Sequence, residues 1–146
     1  TARTAPPSPD PAVYLEFFRW TQHQVDTPVQ GYLNGLPPAV TTPAISDRLR
    51  IPHEDARKLL DLAPLWVNEV NRLEEDSRPV VFQSRLELTN TGRVSDATAA
   101  LLSEIEVRRT AIILKDVQQM RNALGDDAFR RVEDYIRAHE SALFKK

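Results

Sequence analysis

The three histidines of this 146-residue chain, His23, His53 and His139, are the side chains best suited to hold a metal or to move a proton near neutral pH. Metal sites on helices bring at least two ligands together at short spacing, such as i and i+4. Here each histidine falls in a different predicted helix. His53 precedes Glu54 and Asp55, and His139 precedes Glu140, but neighbours in sequence point different ways on a helix. Surface or capping roles are therefore expected, with His139 placed to meet the negative end of its helix. No metal and no cofactor is expected, and a metal-responsive sensor built on these histidines is kept as an alternative. The chain has no cysteine, so disulfides, thiolate ligands and thiol nucleophiles are excluded.

The carboxylates form clusters: Glu74-Glu75-Asp76, Glu104 with Glu106, Asp126-Asp127, and Glu133-Asp134. A hydrolytic pair needs two carboxyls held across a cleft at a fixed separation. These clusters equally fit solvated faces and helix starts. No serine has a histidine and an acid in a nucleophile pattern, and no phosphate loop or dinucleotide fingerprint occurs.

Arg108 and Arg109 stand out because they interrupt the apolar period of a long predicted helix. A buried arginine must be paired, since an isolated buried charge is costly. Glu104 lies four residues before Arg108 and suits a surface ion pair. The alternative is an anion contact formed by Arg108 and Arg109. An all-helical enzyme would extend that site with Arg57 and Glu104 around an anionic substrate.

These residues need elements to position them, and the pattern is helical throughout. Asp10-Pro11 is a cap-and-start pair, and Val13, Tyr14, Phe17, Phe18 and Thr21 form an aromatic stripe. Pro28, Gly31, Gly35, Pro37 and Pro38 break regular structure, which predicts a long loop from Asp26 to Thr42. Thr42-Pro43 opens a short helix to about Leu49. Ile51-Pro52 opens the next, which continues through Leu59, Leu60, Ala63, Trp66, Val67, Val70 and Leu73. Pro64 lies inside it and predicts a kink near Leu60, or a break into two helices. Residues 80–88 suit either strand or helix, and helix is favoured because a lone strand has no partner. Asn90-Thr91-Gly92 marks a turn or C-cap. Ser95-Asp96 begins the longest helix, which Gly125 stops. Asp126 or Asp127 is expected to cap the last one.

The resulting fold class is all-α. The expected architecture is an irregular helical bundle with two long antiparallel helices, shorter packing helices and one long Pro/Gly-rich loop. Residues 1–9 read as a flexible Pro-rich lead, and 10–146 as a single helical domain. With only four glycines, a β-sandwich or barrel is not expected. The longest apolar run, Leu62 to Val67, is far below the ~20 residues of a membrane span. A net charge of −2 and no basic run before Lys145-Lys146 argue against nucleic-acid binding.

Two segments resemble known families. Leu88-Thr89-Asn90-Thr91-Gly92 resembles the Leu-Thr-x-x-Gln signature of small periplasmic helical-hairpin stress proteins, with Gly92 where that family has glutamine. Leu124-Gly125-Asp126-Asp127-Ala128-Phe129, leading to Tyr135, resembles the close of uncharacterised exported helical bacterial proteins. These resemblances imply a helical fold and export, and no activity. The small, proline-rich start after Thr1 fits a periplasmic or secreted chain, with a cytoplasmic one as the alternative.

The expected function is a non-enzymatic protein-binding or assembly module, acting on a protein partner or by self-association. Its expected interface is Trp20 with Tyr32, Leu33 and Leu36. Trp20 lies opposite Phe18 on the first helix, so burying both in one small bundle is difficult, and an exposed aromatic suits an interface.

Overall fold

The computed structural model describes residues 9–26 and 38–140. Among these residues six helices and no strand occur, in the order α1 (Pro11–Asp26), α2 (Pro38–Leu49), α3 (His53–Asp76), α4 (Arg78–Thr91), α5 (Asp96–Leu124) and α6 (Asp126–Ala138). The fold is an all-α helical bundle. No helix of the described residues is long and apolar enough to cross a membrane.

Cross-helix contacts reveal the plan. Lys58 bonds the Ala123 carbonyl, Trp66 bonds Gln119, Glu69 pairs with Lys115, Glu74 with Arg109, and Glu87 with Thr98. As one number rises the other falls, so α3 and α4 together run antiparallel to α5. The 29 residues of α5 span roughly 43 Å at the helical rise. Only Ser77 separates α3 from α4. It stays in the right-handed region, and its carbonyl accepts from both Val80 and Val81. Pro79 sits in the first turn of α4, where a missing N–H leaves no bond unmade.

The ambiguous 80–88 segment is thus helical, and Gly92 ends α4 at φ 77, a conformation that favours glycine. Pro64 does not divide α3, which runs unbroken past it. Ser95 caps α5 by accepting from the Thr98 N–H. Two boundaries correct the sequence reading. Pro38 to Thr42 belong to α2 and not to a loop, because helical residues precede as well as follow Pro43. Neither Asp126 nor Asp127 caps α6: Gly125, at φ 83, closes α5 and opens α6 as a one-residue corner. The lead before residue 9 and the Tyr32, Leu33 and Leu36 part of the expected loop lie outside the described residues.

The core gathers where α1 meets α2, α3, α5 and α6. Phe17, Phe18, Leu15, Trp66, Leu59, Ile113, Met120, Val132 and Ile136 are fully or almost fully buried there. Each such side chain contributes about 1.5–3 kcal/mol by leaving water. Helix α1 buries Val13, Tyr14, Leu15, Phe17, Phe18 and Thr21, far more than one stripe, because helices surround it on several sides. By contrast, α4 buries only Ser84, and the first half of α5 only Thr98. The two therefore extend from the core as a two-helix arm.

Candidate functional site: an arginine-lined cleft between α2 and α6

The last turn of α2 and the outer face of α6 enclose a recess of about 640 Å³. Arg48, Leu49, Arg50, Arg131, Asp134, Tyr135, Ala138 and His139 line it. The end of α2 explains how two of the arginines arrive. Ile51 donates its N–H back to the Ser46 carbonyl, and the Ser46 hydroxyl binds the Ile51 carbonyl. This wrap-around closure requires a left-handed residue between them. Arg50 fills that position at φ 57, the one non-glycine residue with positive φ among those described. Glycine or asparagine ordinarily stands there, so an arginine carries a backbone cost of about 1 kcal/mol. The turn leaves Arg48 and Arg50 exposed on either side of buried Leu49.

Helix α6 supplies the opposite wall. Phe129, Val132 and Ile136 face the core, which leaves Arg131, Asp134 and Ala138 exposed beside them. Arg131 donates to the Arg50 carbonyl at 2.7 Å and so ties the two walls together. Asp134, the one carboxylate among the described lining residues, is held at 3.1 Å by Arg137 and adds little net negative charge. The Tyr14 hydroxyl donates to the neighbouring carboxylate Glu133, which fixes α6 against α1. Burial and that carboxylate hold the Tyr14 hydroxyl well above its ordinary range, so it stays protonated.

Aromatic rings form the floor. Tyr135 stacks on His139 with centroids 4.1 Å apart and lies 5.5 Å from the half-buried Trp20. Trp20 in turn stacks on Phe17, and the Arg48 guanidinium lies 5.9 Å from its ring. Three guanidinium groups, a histidine and a stacked aromatic set thus converge on one surface. Such a lining can hold carboxylates or phosphates through charge-assisted hydrogen bonds while rings bury adjoining apolar atoms.

The residues singled out in the sequence separate. Trp20 borders the cleft, although it is covered on one side by Phe17 and Tyr135. Trp66 is buried and donates to Gln119 at 3.0 Å. Arg108 is exposed, forms no ion pair with a described residue, and does not meet Glu104. Arg109 is half-buried and pairs with Glu74, which also binds Arg19, joining α1, α3 and α5. Arg57 pairs with Asp61 on the surface of α3. Arg57, Arg108 and Arg109 therefore do not line the cleft. His23 and His53 are exposed on α1 and at the start of α3. His139 caps α6, its Nδ1 lying 2.9 Å from the Tyr135 carbonyl oxygen. No group of three or more histidines and carboxylates fit to hold a metal occurs among the described residues.

Sequence reasoning missed Arg48, Arg50 and Arg131. The signal available was a helix stop at Arg50-Ile51-Pro52 without glycine, followed much later by an arginine on the polar side of α6. One buried group also escaped notice. Asp116 on α5 is fully buried beside the Glu69 carboxylate, and no N–H or hydroxyl donor reaches either of its carboxyl oxygens. Burial, with repulsion from Glu69, pushes its carboxyl up to about 7. It does not line the cleft.

No family model, curated protein or solved structure matches this chain.

Proposed function

We propose that this domain is a non-enzymatic protein-binding module whose α2–α6 cleft holds an acidic segment of a partner. The observation that carries this reading is the convergence of Arg48, Arg50 and Arg131 on one recess where Asp134, the only carboxylate among the described lining residues, is already engaged by Arg137. The strained backbone at Arg50 adds weight, because strain kept at one residue often accompanies use of its side chain. Arginine, tyrosine and tryptophan are also the types that dominate binding energy at protein interfaces, and all three meet here.

Fluorescence anisotropy with fluorescein-labelled hexaglutamate tests the proposal. Binding should be measurable at low salt and weaken as salt rises. An exposed guanidinium–carboxylate pair contributes up to about 1 kcal/mol, so the triple variant R48Q/R50Q/R131Q should lose roughly 10- to 100-fold in affinity. Equal affinity for the parent and the triple variant would overturn the proposal. Tighter binding of a single-stranded oligonucleotide would assign the cleft to nucleic acid instead.

A further inference from the structure

The two-helix arm offers a second surface. Along α4, Val81, Phe82, Leu86 and Leu88 are exposed, and Leu101 and Val107 are exposed on the facing stretch of α5. Phe82 is 64% exposed, a large apolar side chain left in water. Two helices alone bury only the seam between them, whereas four close around a common core. The charges of the arm divide by helix. On α4, Arg78 and Arg85 are exposed, while the Glu87 carboxylate is turned inward onto Ser95 and Thr98. On α5, Asp96, Glu104 and Glu106 are exposed, with Arg108 the one exposed cation of that stretch. Arg78, Arg85, Glu104 and Glu106 form no ion pair with any described residue.

We propose that the α4–α5 arm pairs with the same arm of a second copy of this chain, about a twofold axis running along the arm. That symmetry sets the basic α4 of one copy against the acidic α5 of the other, twice. The register of α3 and α4 against α5 then fixes the levels. Arg78 stands level with Glu106 of the other copy, Phe82 with Leu102, and Arg85 within one turn of Asp96. Such an interface is isologous, with one patch complementing itself. It rests on different residues from the cleft and stands or falls independently of it.

Sedimentation equilibrium on the full chain tests this arrangement. The parent should dimerise. R78E/R85E and D96R/E106R each place like charges across both contacts, and each should weaken the dimer at least ~10-fold. Mixing the two variants restores opposite charges at both contacts and should restore the dimer. Phe82→Ser, at a site too exposed to unfold the chain, should weaken it without affecting helix content. A parent that stays monomeric at concentrations on the order of 0.1 mM, a range that would populate even a weak dimer, overturns the proposal. So does a dimer indifferent to both reversals, or a mixture no tighter than its components.

Discussion

Arg131 donates to the Arg50 carbonyl at 2.7 Å, joining α6 to the residue that ends α2. The bond uses the backbone of Arg50 and leaves its side chain to the cleft. Arg50→Gly should therefore keep this tie, relieve the φ 57 strain, and leave stability unchanged or higher by about 1 kcal/mol. Hexaglutamate binding should fall in the same variant. Urea unfolding beside anisotropy separates the two effects; a less stable Arg50→Gly would mean that the side chain supports the fold.

Asp116 predicts an unusual pH profile. Its carboxyl is held at about 7 in the folded chain because burial and Glu69 disfavour its charge. The folded state thus binds a proton that the unfolded state releases at ordinary aspartate pH. This group's contribution is fully present below that range and is lost as pH rises toward about 7. Asp116→Asn should flatten the curve and leave the protein more stable than the parent at pH 8, by about 2–4 kcal/mol. Melting temperatures from pH 4 to 8 give the comparison, and a variant less stable at pH 8 would refute the assignment.

Glu87 has the opposite sign. The Thr98 hydroxyl, the Ser95 N–H and Gln83 hold its carboxyl down at about 2. Its contribution is present above the ordinary glutamate range and is lost as pH falls from there through about 2. Glu87→Gln should speed amide exchange at Ser95 near neutral pH, while exchange in α1 stays as in the parent. Unchanged exchange at Ser95 would show that the turn holds without the carboxylate.

The two tryptophans report on different places. Trp66 is buried against Phe18 and bonded to Gln119, so Trp66→Ala should cost about 3–5 kcal/mol. Trp66→Phe is milder and leaves Trp20 as the sole tryptophan, beside Tyr135 and Arg48. Its fluorescence should respond to hexaglutamate, and silence at saturation would place the peptide elsewhere.

The helices were largely legible because their signals are local. Ser95 caps, Gly92 and Gly125 end, and Leu59 through Leu73 repeats with the helical period. The site was not legible because its parts are distant in sequence. Arg50 and Arg131 lie 81 residues apart, and only the packing of α2 against α6 brings them together. Trp20 shows the same limit. It lies away from Phe18 on the helix wheel, yet α1 is packed on several sides, so Tyr135 covers part of a ring that a single-stripe reading leaves bare. Arg109 broke the apolar stripe because it ties α5 to Glu74, a residue of a different helix.

The most direct test of the cleft is a residue-resolved titration: nitrogen–proton correlation spectra of the full chain with unlabelled hexaglutamate. Progressive shifts should gather at Arg48 to Ile51 and Arg131 to His139, with little change from Phe82 to Leu88. Shifts confined to the α4–α5 arm, or none at all at low salt, would contradict the assignment of the cleft as the binding site.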